Sequence, residues 1–240
     1  MQSATVTVPA RFNGPPQSAN GGWFAGALAQ VVLEACDAAA TSAVSVRLLA
    51  PPPLDRALQL LAGETAYDLI DGEHRIASAT LAPDLAAPPS GPVSYADALA
   101  AGPGYEGLLQ HPFPTCYSCG TGRTDGLALR PGPVASSSEG AYAAAWLVEE
   151  VSVPIAWAAM DCPGGWSAGI AGRPMVLGTM TAAVYGLPEV GDECVVMAWP
   201  GGGEGRRFHS STALFGPGQE LLGRADAIWI AVDPAAIRPR

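Results

Sequence analysis

Residues 21–36 read Gly21-Gly22-Trp23-Phe24-Ala25-Gly26-Ala27-Leu28-Ala29-Gln30-Val31-Val32-Leu33-Glu34-Ala35-Cys36. No charge occurs before Glu34, and Trp23, Phe24, Leu28, Val31, Val32 and Leu33 would cover nearly every side of a helix. A helix that is apolar all round is buried rather than laid on a surface. The pattern predicts a central helix from about Gly22 to Cys36. Its opening, Gly21-Gly22-Trp23-Phe24-Ala25-Gly26, recurs as Gly164-Gly165-Trp166-Ser167-Ala168-Gly169, an offset of 164 − 21 = 143 residues. The repeat predicts a second central helix opening near Gly164, with Trp23 and Trp166 in equivalent places.

Strand-like segments follow each copy. In the first half Ala43-Val44-Ser45-Val46-Arg47-Leu48 alternates in the way of a half-buried strand. Pro51 to Pro53 breaks it, and Ala57 to Ala62 resumes. Ala66 to Leu69 and Ile76 to Ala79 flank the turn signal Asp71-Gly72. In the second half Met175 to Val184, Cys194 to Trp199, Thr212 to Phe215 and Leu221 to Val232 read as strands, the last two joined by a turn at Gly216 to Gln219. Helices and strands do not alternate, which excludes a doubly wound sheet. The expected class is α+β: two fused units, each a central helix wrapped by a curved antiparallel sheet, joined into one continuous sheet. Residues 1–90 and 108–240 are the expected units. The Pro-, Gly- and Ser-rich residues 91–107 are the expected linker, with a helical turn near Tyr95 to Leu99.

Composition excludes several function classes. The 240 residues are 49% hydrophobic and only 14% charged, which fits a packed core and not disorder. The net formal charge is −10, so nucleic-acid binding is not expected. All 12 basic residues are arginine. No apolar run reaches the roughly 18 residues of a membrane helix, and Met1 to Ala10 lacks the layout of a signal peptide. A cytoplasmic protein without membrane contact is expected. Five irregularly spaced cysteines do not suggest a disulfide framework.

The long buried helix opening with Gly-Gly, followed by antiparallel strands, resembles the hotdog fold of acyl-CoA thioesterases. Asn13-Gly14-Pro15-Pro16 through Ala19-Asn20-Gly21-Gly22-Trp23 is similar to the helix start of thioesterase-like proteins with two fused hotdogs. Val46 to Leu54 resembles their following strand and turn, and Ala158 to Trp166 resembles an uncharacterised branch of the group. The resemblance implies a thioester ligand, such as an acyl-CoA, held between the helix starts. It also implies that the chain is already a pseudo-dimer, either as a monomer or in a further homodimer. Hydrolysis of that thioester is one expectation. A non-catalytic acyl-CoA or fatty-acyl binding protein is the other, since Ser18 and not a carboxylate matches Asp161 in the repeat.

Several residues carry the expected chemistry. Free amides at a helix N-terminus can polarise a carbonyl, and glycine allows its close approach. Gly21-Gly22 and Gly164-Gly165 are therefore candidate donors, although tight helix packing would equally explain the glycines. Asp161, just before a Pro163 read as a first-turn proline, is the candidate base or nucleophile, or else a plain cap. Asn20 is a helper or an N-cap. Trp23 and Trp166 are placed beside the substrate, and Arg206 and Arg207, after Gly201-Gly202-Gly203-Glu204-Gly205, are candidate phosphate ligands or a solvated turn. His209 falls on the strand face of Arg207. Cys162 would have its thiol activated at a helix start, but no histidine neighbours it in sequence. The lack of a nearby histidine also argues against a dehydratase. His111, Cys116 and Cys119 resemble half a zinc knuckle. No second Cys-x-x-Cys exists, and a further ligand would have to come from far away, such as Cys162 or Cys194. A tight turn with free thiols is the expectation there, with no metal and no cofactor.

Overall fold

The computed structural model of the chain describes residues 4–236. The first half comprises strand β1 (Thr5–Val6), helix α1 (Gly21–Ala35) and strands β2 (Val44–Leu48), β3 (Leu58–Ala62), β4 (Tyr67–Asp71) and β5 (His74–Leu81). Helix α2 (Tyr95–Ala101) falls where a helical turn was expected. The second half comprises β6 (Gly132–Pro133), β7 (Tyr142–Leu147), helix α3 (Val153–Ser167) and strands β8 (Met175–Val184), β9 (Glu193–Glu204), β10 (Arg207–Phe215) and β11 (Leu221–Ala231).

All these strands belong to one eleven-stranded sheet in the order β1-β3-β4-β5-β2-β8-β11-β10-β9-β7-β6. The order reads alike outward from the β2–β8 junction. The strand after each central helix sits at the junction, and the three that follow form a meander whose last strand returns beside it. Val44 pairs with Ala182 and Arg47 with Thr179 across the junction, antiparallel like the pairs on either side. This is the expected pair of α+β units sharing one continuous sheet. The alternation read in β2 is real: Val44 and Val46 are buried and Arg47 is exposed. The expected Asp71-Gly72 turn joins β4 to β5, with Gly72 at φ 60°, a conformation glycine adopts without a Cβ penalty. On the other face of the second half, Ala98 of α2 joins a small core with Ala143, Met197, Trp199 and Phe215.

The first helix lies where its sequence puts it. Asn20 caps α1, its side chain accepting from the Trp23 N–H at 2.8 Å. The second helix does not open at Gly164. α3 begins at Val153, and Gly164-Gly165 lie in its last turn. Its start carries an ordinary signal: the Ser152 side chain accepts from the Ile155 N–H at 3.3 Å, and Pro154 stands in the first turn, where its missing N–H costs nothing. Pro163 lies inside the helix. It leaves the Ala159 carbonyl without its helical amide. Carbonyls on either side find outside donors, Ser118 Oγ to Ala158 O at 2.8 Å and Thr212 Oγ1 to Met160 O at 2.9 Å. The Gly-Gly-Trp repeat is therefore not a structural repeat. Trp23 is near the start of α1 and Trp166 near the end of α3, so the two do not occupy equivalent places.

α1 and α3 pack antiparallel at the centre. A Cβ at Gly26 would lie 2.8 Å from Pro154 Cα, and one at Gly22 would lie 2.8 Å from the Trp157 carbonyl oxygen and against Asp161. Advancing along α1 thus means retreating along α3. Both helices have 15 residues, so their starts relate positions by 153 − 21 = 132. Asn20 then corresponds to Ser152, and Asp161 to Ala29, not to Ser18. The second place related by this symmetry has no carboxylate.

Candidate functional site

Asp161 is 3% exposed, and its position follows from the antiparallel helix pair. It is the ninth residue of α3 and faces the first turn of α1. Its Oδ2 accepts from the Gly22 N–H at 3.0 Å and from Asn20 Nδ2 at 3.1 Å. Asp161 does sit at a helix N-terminus, but at that of the other helix. Its Oδ1 is buried and has no hydrogen-bond partner among the described residues. Burial pushes the carboxyl up to about 7, aided by negative charge on Cys116 and opposed by the Gly22 and Asn20 donors.

Asn20 and Asp161 open onto a cavity of about 370 Å³, within the range of small-ligand sites. Its walls are mostly apolar. Leu48 contributes from the end of β2 and Pro51 from just after it, Leu177 from β8, Trp229 from β11, and Phe113 from the segment preceding β6. Gly21 and Trp166 also line it. First-turn amides of a helix have no intrahelical partner and carry the positive end of its dipole, so the start of α1 presents an electrophilic wall at Gly21.

Other expected site residues fall elsewhere. Gly22 is present through its amide, but that amide is taken by Asp161. Gly164 and Gly165 offer no donor pair to a ligand, because amides in the last turn of a helix are spent within it. They are small because the sheet is close: a Cβ at Gly164 would lie 2.6 Å from Ser210 Oγ, and one at Gly165 would lie 2.6 Å from Ile170 Cδ1. Trp23 is stacked on Phe12 with ring centroids 4.3 Å apart and is not in the cavity wall. Arg206, on the β9–β10 turn, and Arg207, the first residue of β10, are exposed away from the cavity wall, and Arg206 Nε donates to the Ala231 carbonyl at 3.0 Å. Among the described residues no arginine lines the cavity.

The sequence offered Cys162 as a distant companion of Cys116 and Cys119, but it did not place the three beside Asp161. Cys116, Cys119 and Cys162 bring their sulfurs within 4.8 Å of one another, all three buried and all three in the cavity wall. Of the two distant cysteines, Cys162 joins the pair, whereas Cys194 lies on β9 opposite Trp146. Trp166 Nε1 donates to Cys119 Sγ at 3.4 Å, and Asn20 Nδ2 is 3.7 Å from Cys116 Sγ. His111 also reaches the cavity wall. Its Nδ1 accepts from the Phe113 N–H at 3.0 Å, and its Nε2 lies 3.4 Å from Cys119 Sγ. Thiol hydrogens from Cys119 and Cys162 hold the Cys116 thiol well below the usual cysteine range, while burial raises Cys119 and the bond to Cys116 raises Cys162. The signal for this cluster was the Cys-x-x-Cys pair. Its completion depends on α3 reaching back over the 105–131 segment.

The fold is a double hotdog. The chain is similar to a tesB protein from Mycobacterium avium subs paratuberculosis (11% identity, TM-score 0.59), with 95% of this chain and 92% of that one covered. It is similar also to an acyl-CoA thioesterase II from Mycobacterium marinum (12%, 0.58), covering 96% and 93%. The dehydratase domain of a mycocerosic acid synthase-like PKS matches as well (14%, 0.62), covering 96% and 91%. No protein-family model and no curated protein sequence matches the chain. Identities this low speak for the fold, and one fold carrying hydrolases and dehydratases leaves the reaction to be argued from the site. Among the described residues no helix is long and apolar enough to cross a membrane.

Proposed function

We propose that the protein is a cytoplasmic enzyme that hydrolyses an acyl thioester, an acyl-CoA or a related one, with Asp161 as general base. One observation carries the reading. Asp161 lines an apolar cavity, with one oxygen held by Gly22 and Asn20 and the other buried without a hydrogen-bond partner among the described residues. A carboxylate so anchored is oriented, and its second oxygen lacks only a ligand proton. The acyl chain occupies the apolar cavity. Its carbonyl oxygen faces the start of α1 at Gly21, where the helix dipole favours developing negative charge. Asp161 takes a proton from a water whose oxygen bonds to the carbonyl carbon. The carbon–sulfur bond then breaks, and the sulfur leaves as a thiol carrying the proton back from Asp161. Residues 1–90 and 108–240 are the two units in this reading, with 91–107 between them. The name of the Mycobacterium marinum relative, an acyl-CoA thioesterase II, supports it.

The dehydratase reading gains a histidine that the sequence did not place, because His111 reaches the same cavity. Both its ring nitrogens are already engaged, by Phe113 and Cys119, which favours the hydrolase.

The test is release of free thiol from a panel of acyl-CoAs by wild type and Asp161→Asn. A drop of about 100-fold or more is expected for the variant, in line with loss of a general base. The amide keeps an acceptor for Gly22 and Asn20, so the fold is retained. Equal turnover by both proteins removes Asp161 from the mechanism. An acyl-CoA that raises Tm without being consumed makes the protein a binder instead.

A further inference from the structure

We propose that Cys116, Cys119 and Cys162 form a zinc site, three thiolates holding one Zn²⁺ whose fourth position faces the cavity and takes a water or a ligand atom from it. Two independent observations lead there. The first is spacing. Two sulfurs on one tetrahedral zinc, each about 2.3 Å from it, stand roughly 3.8 Å apart. Cys116 Sγ and Cys162 Sγ are 3.6 Å apart, and all three sulfurs lie within 4.8 Å of one another, so at most about 1 Å of closing would bring the third sulfur onto the same ion.

The second is the set of N–H groups aimed at the sulfurs. Trp166 Nε1 points at Cys119, and Asn20 Nδ2 lies 3.7 Å from Cys116 Sγ and 3.9 Å from Cys162 Sγ. His111 adds a third. Its Nδ1 accepts from the Phe113 N–H, so the neutral ring carries its proton on Nε2 and directs it at Cys119 Sγ. That tautomer makes His111 a donor to a ligand sulfur and not a ligand itself. A thiol sulfur is a weak acceptor, whereas a metal-bound thiolate is regularly held by such donors. Three thiolates at these separations repel strongly in a buried site unless a cation lies among them. A dication resolves the repulsion, and soft sulfur ligands in a tetrahedral set select zinc among common divalent ions.

Three protein ligands and an open fourth position distinguish this site from a closed structural centre. All three cysteines line the cavity, so the fourth ligand comes from there. On binding, every proton remaining on the three sulfurs passes to bulk water. The ion would also tie the segment bearing Cys116 and Cys119 to α3 through Cys162.

The proposal is read without substrate, so it stands or falls apart from the hydrolase reading. Wild type and the variants Cys116→Ser, Cys119→Ser, Cys162→Ser and Cys36→Ser are purified from zinc-supplemented cells without chelator, and metal is measured by mass spectrometry. About one zinc per chain is expected in wild type and Cys36→Ser, and less than a tenth of that in the other three. Cobalt added to chelator-treated, reduced wild type should give the strong visible bands and sulfur-to-cobalt charge transfer of a tetrahedral thiolate site. That spectrum needs no variant to fold. A wild-type protein that holds no zinc and gives no such cobalt bands overturns the proposal. So does a disulfide joining two of the three cysteines in the protein as isolated, since it removes the ligands.

Discussion

Asn20 and Asp161 stand 141 positions apart and meet because each meets a need of the other. Asn20 has two roles: its Oδ1 caps α1 through the Trp23 N–H, and its Nδ2 orients Asp161. Two substitutions separate them. Serine caps nearly as well as asparagine but has no amide to reach Asp161, whereas alanine does neither. Asn20→Ala should lose about 1 kcal/mol of stability and most activity. Asn20→Ser should keep its stability and still lose activity, seen as lower kcat with little change in KM. Denaturant melts alongside thiol-release kinetics check this, and a serine variant as active as wild type would reduce Asn20 to a cap. The cap was readable from Asn20 before Gly21-Gly22. The carboxylate it holds was not, because no local pattern joins residues that distant. Gly165 shows the converse: its spacing in Gly-Gly-Trp copied that of Gly22, yet its neighbours are Ile170 and Trp229.

At the scale of elements, the helix pair sets the site. Gly22 and Gly26 are one turn apart on α1 and let Pro154, Trp157 and Asp161 of α3 come close. Alanine at an ordinary helix position would gain close to 1 kcal/mol over glycine. At Gly26 the added Cβ meets Pro154 Cα at 2.8 Å, a backbone atom that cannot step aside. Gly26→Ala should therefore destabilise, by about 1–3 kcal/mol, the range for an overpacked core. Urea unfolding reads the sign directly, and a stabilised variant would mean the helices are not in contact there. Loss of the Ser152 cap in Ser152→Ala should cost about 1 kcal/mol by the same measurement. The misplaced start of α3 has a physical lesson. Pro163 and Gly164-Gly165 look like a helix opening, but hydroxyls of Ser118 and Thr212 compensate the proline from outside, and the true start was signalled by Ser152 and Pro154.

The whole molecule is joined in two layers: β2 to β8 in the sheet and α1 to α3 beneath it. Neither half can open without breaking both. Unfolding in urea should thus be one cooperative transition, with far-UV circular dichroism and tryptophan fluorescence giving the same midpoint. Five of the six tryptophans lie in the second half, so fluorescence follows that half while circular dichroism follows both. A separate early step in circular dichroism alone would show that the first half melts independently. The sheet ends in β1 and β6, each two residues long, which limits the exposed edge.

Local pattern by itself determined the elements it can encode: the all-apolar α1, the alternating β2 and the hairpin at Gly72, whereas the two-unit class was reached partly through a Gly-Gly-Trp repeat that is not structural. Those elements follow from hydrophobic periodicity and turn chemistry over a few residues. Only the tertiary structure decided that α1 and α3 run antiparallel, which gives Asp161 to the start of the other helix and leaves Ala29 in the matching place. It alone brought Cys162 to Cys116 and Cys119. Helix orientation and the meeting of distant side chains come from packing across the whole core, where close approach at Gly22 and Gly26 outweighs any preference written along the chain.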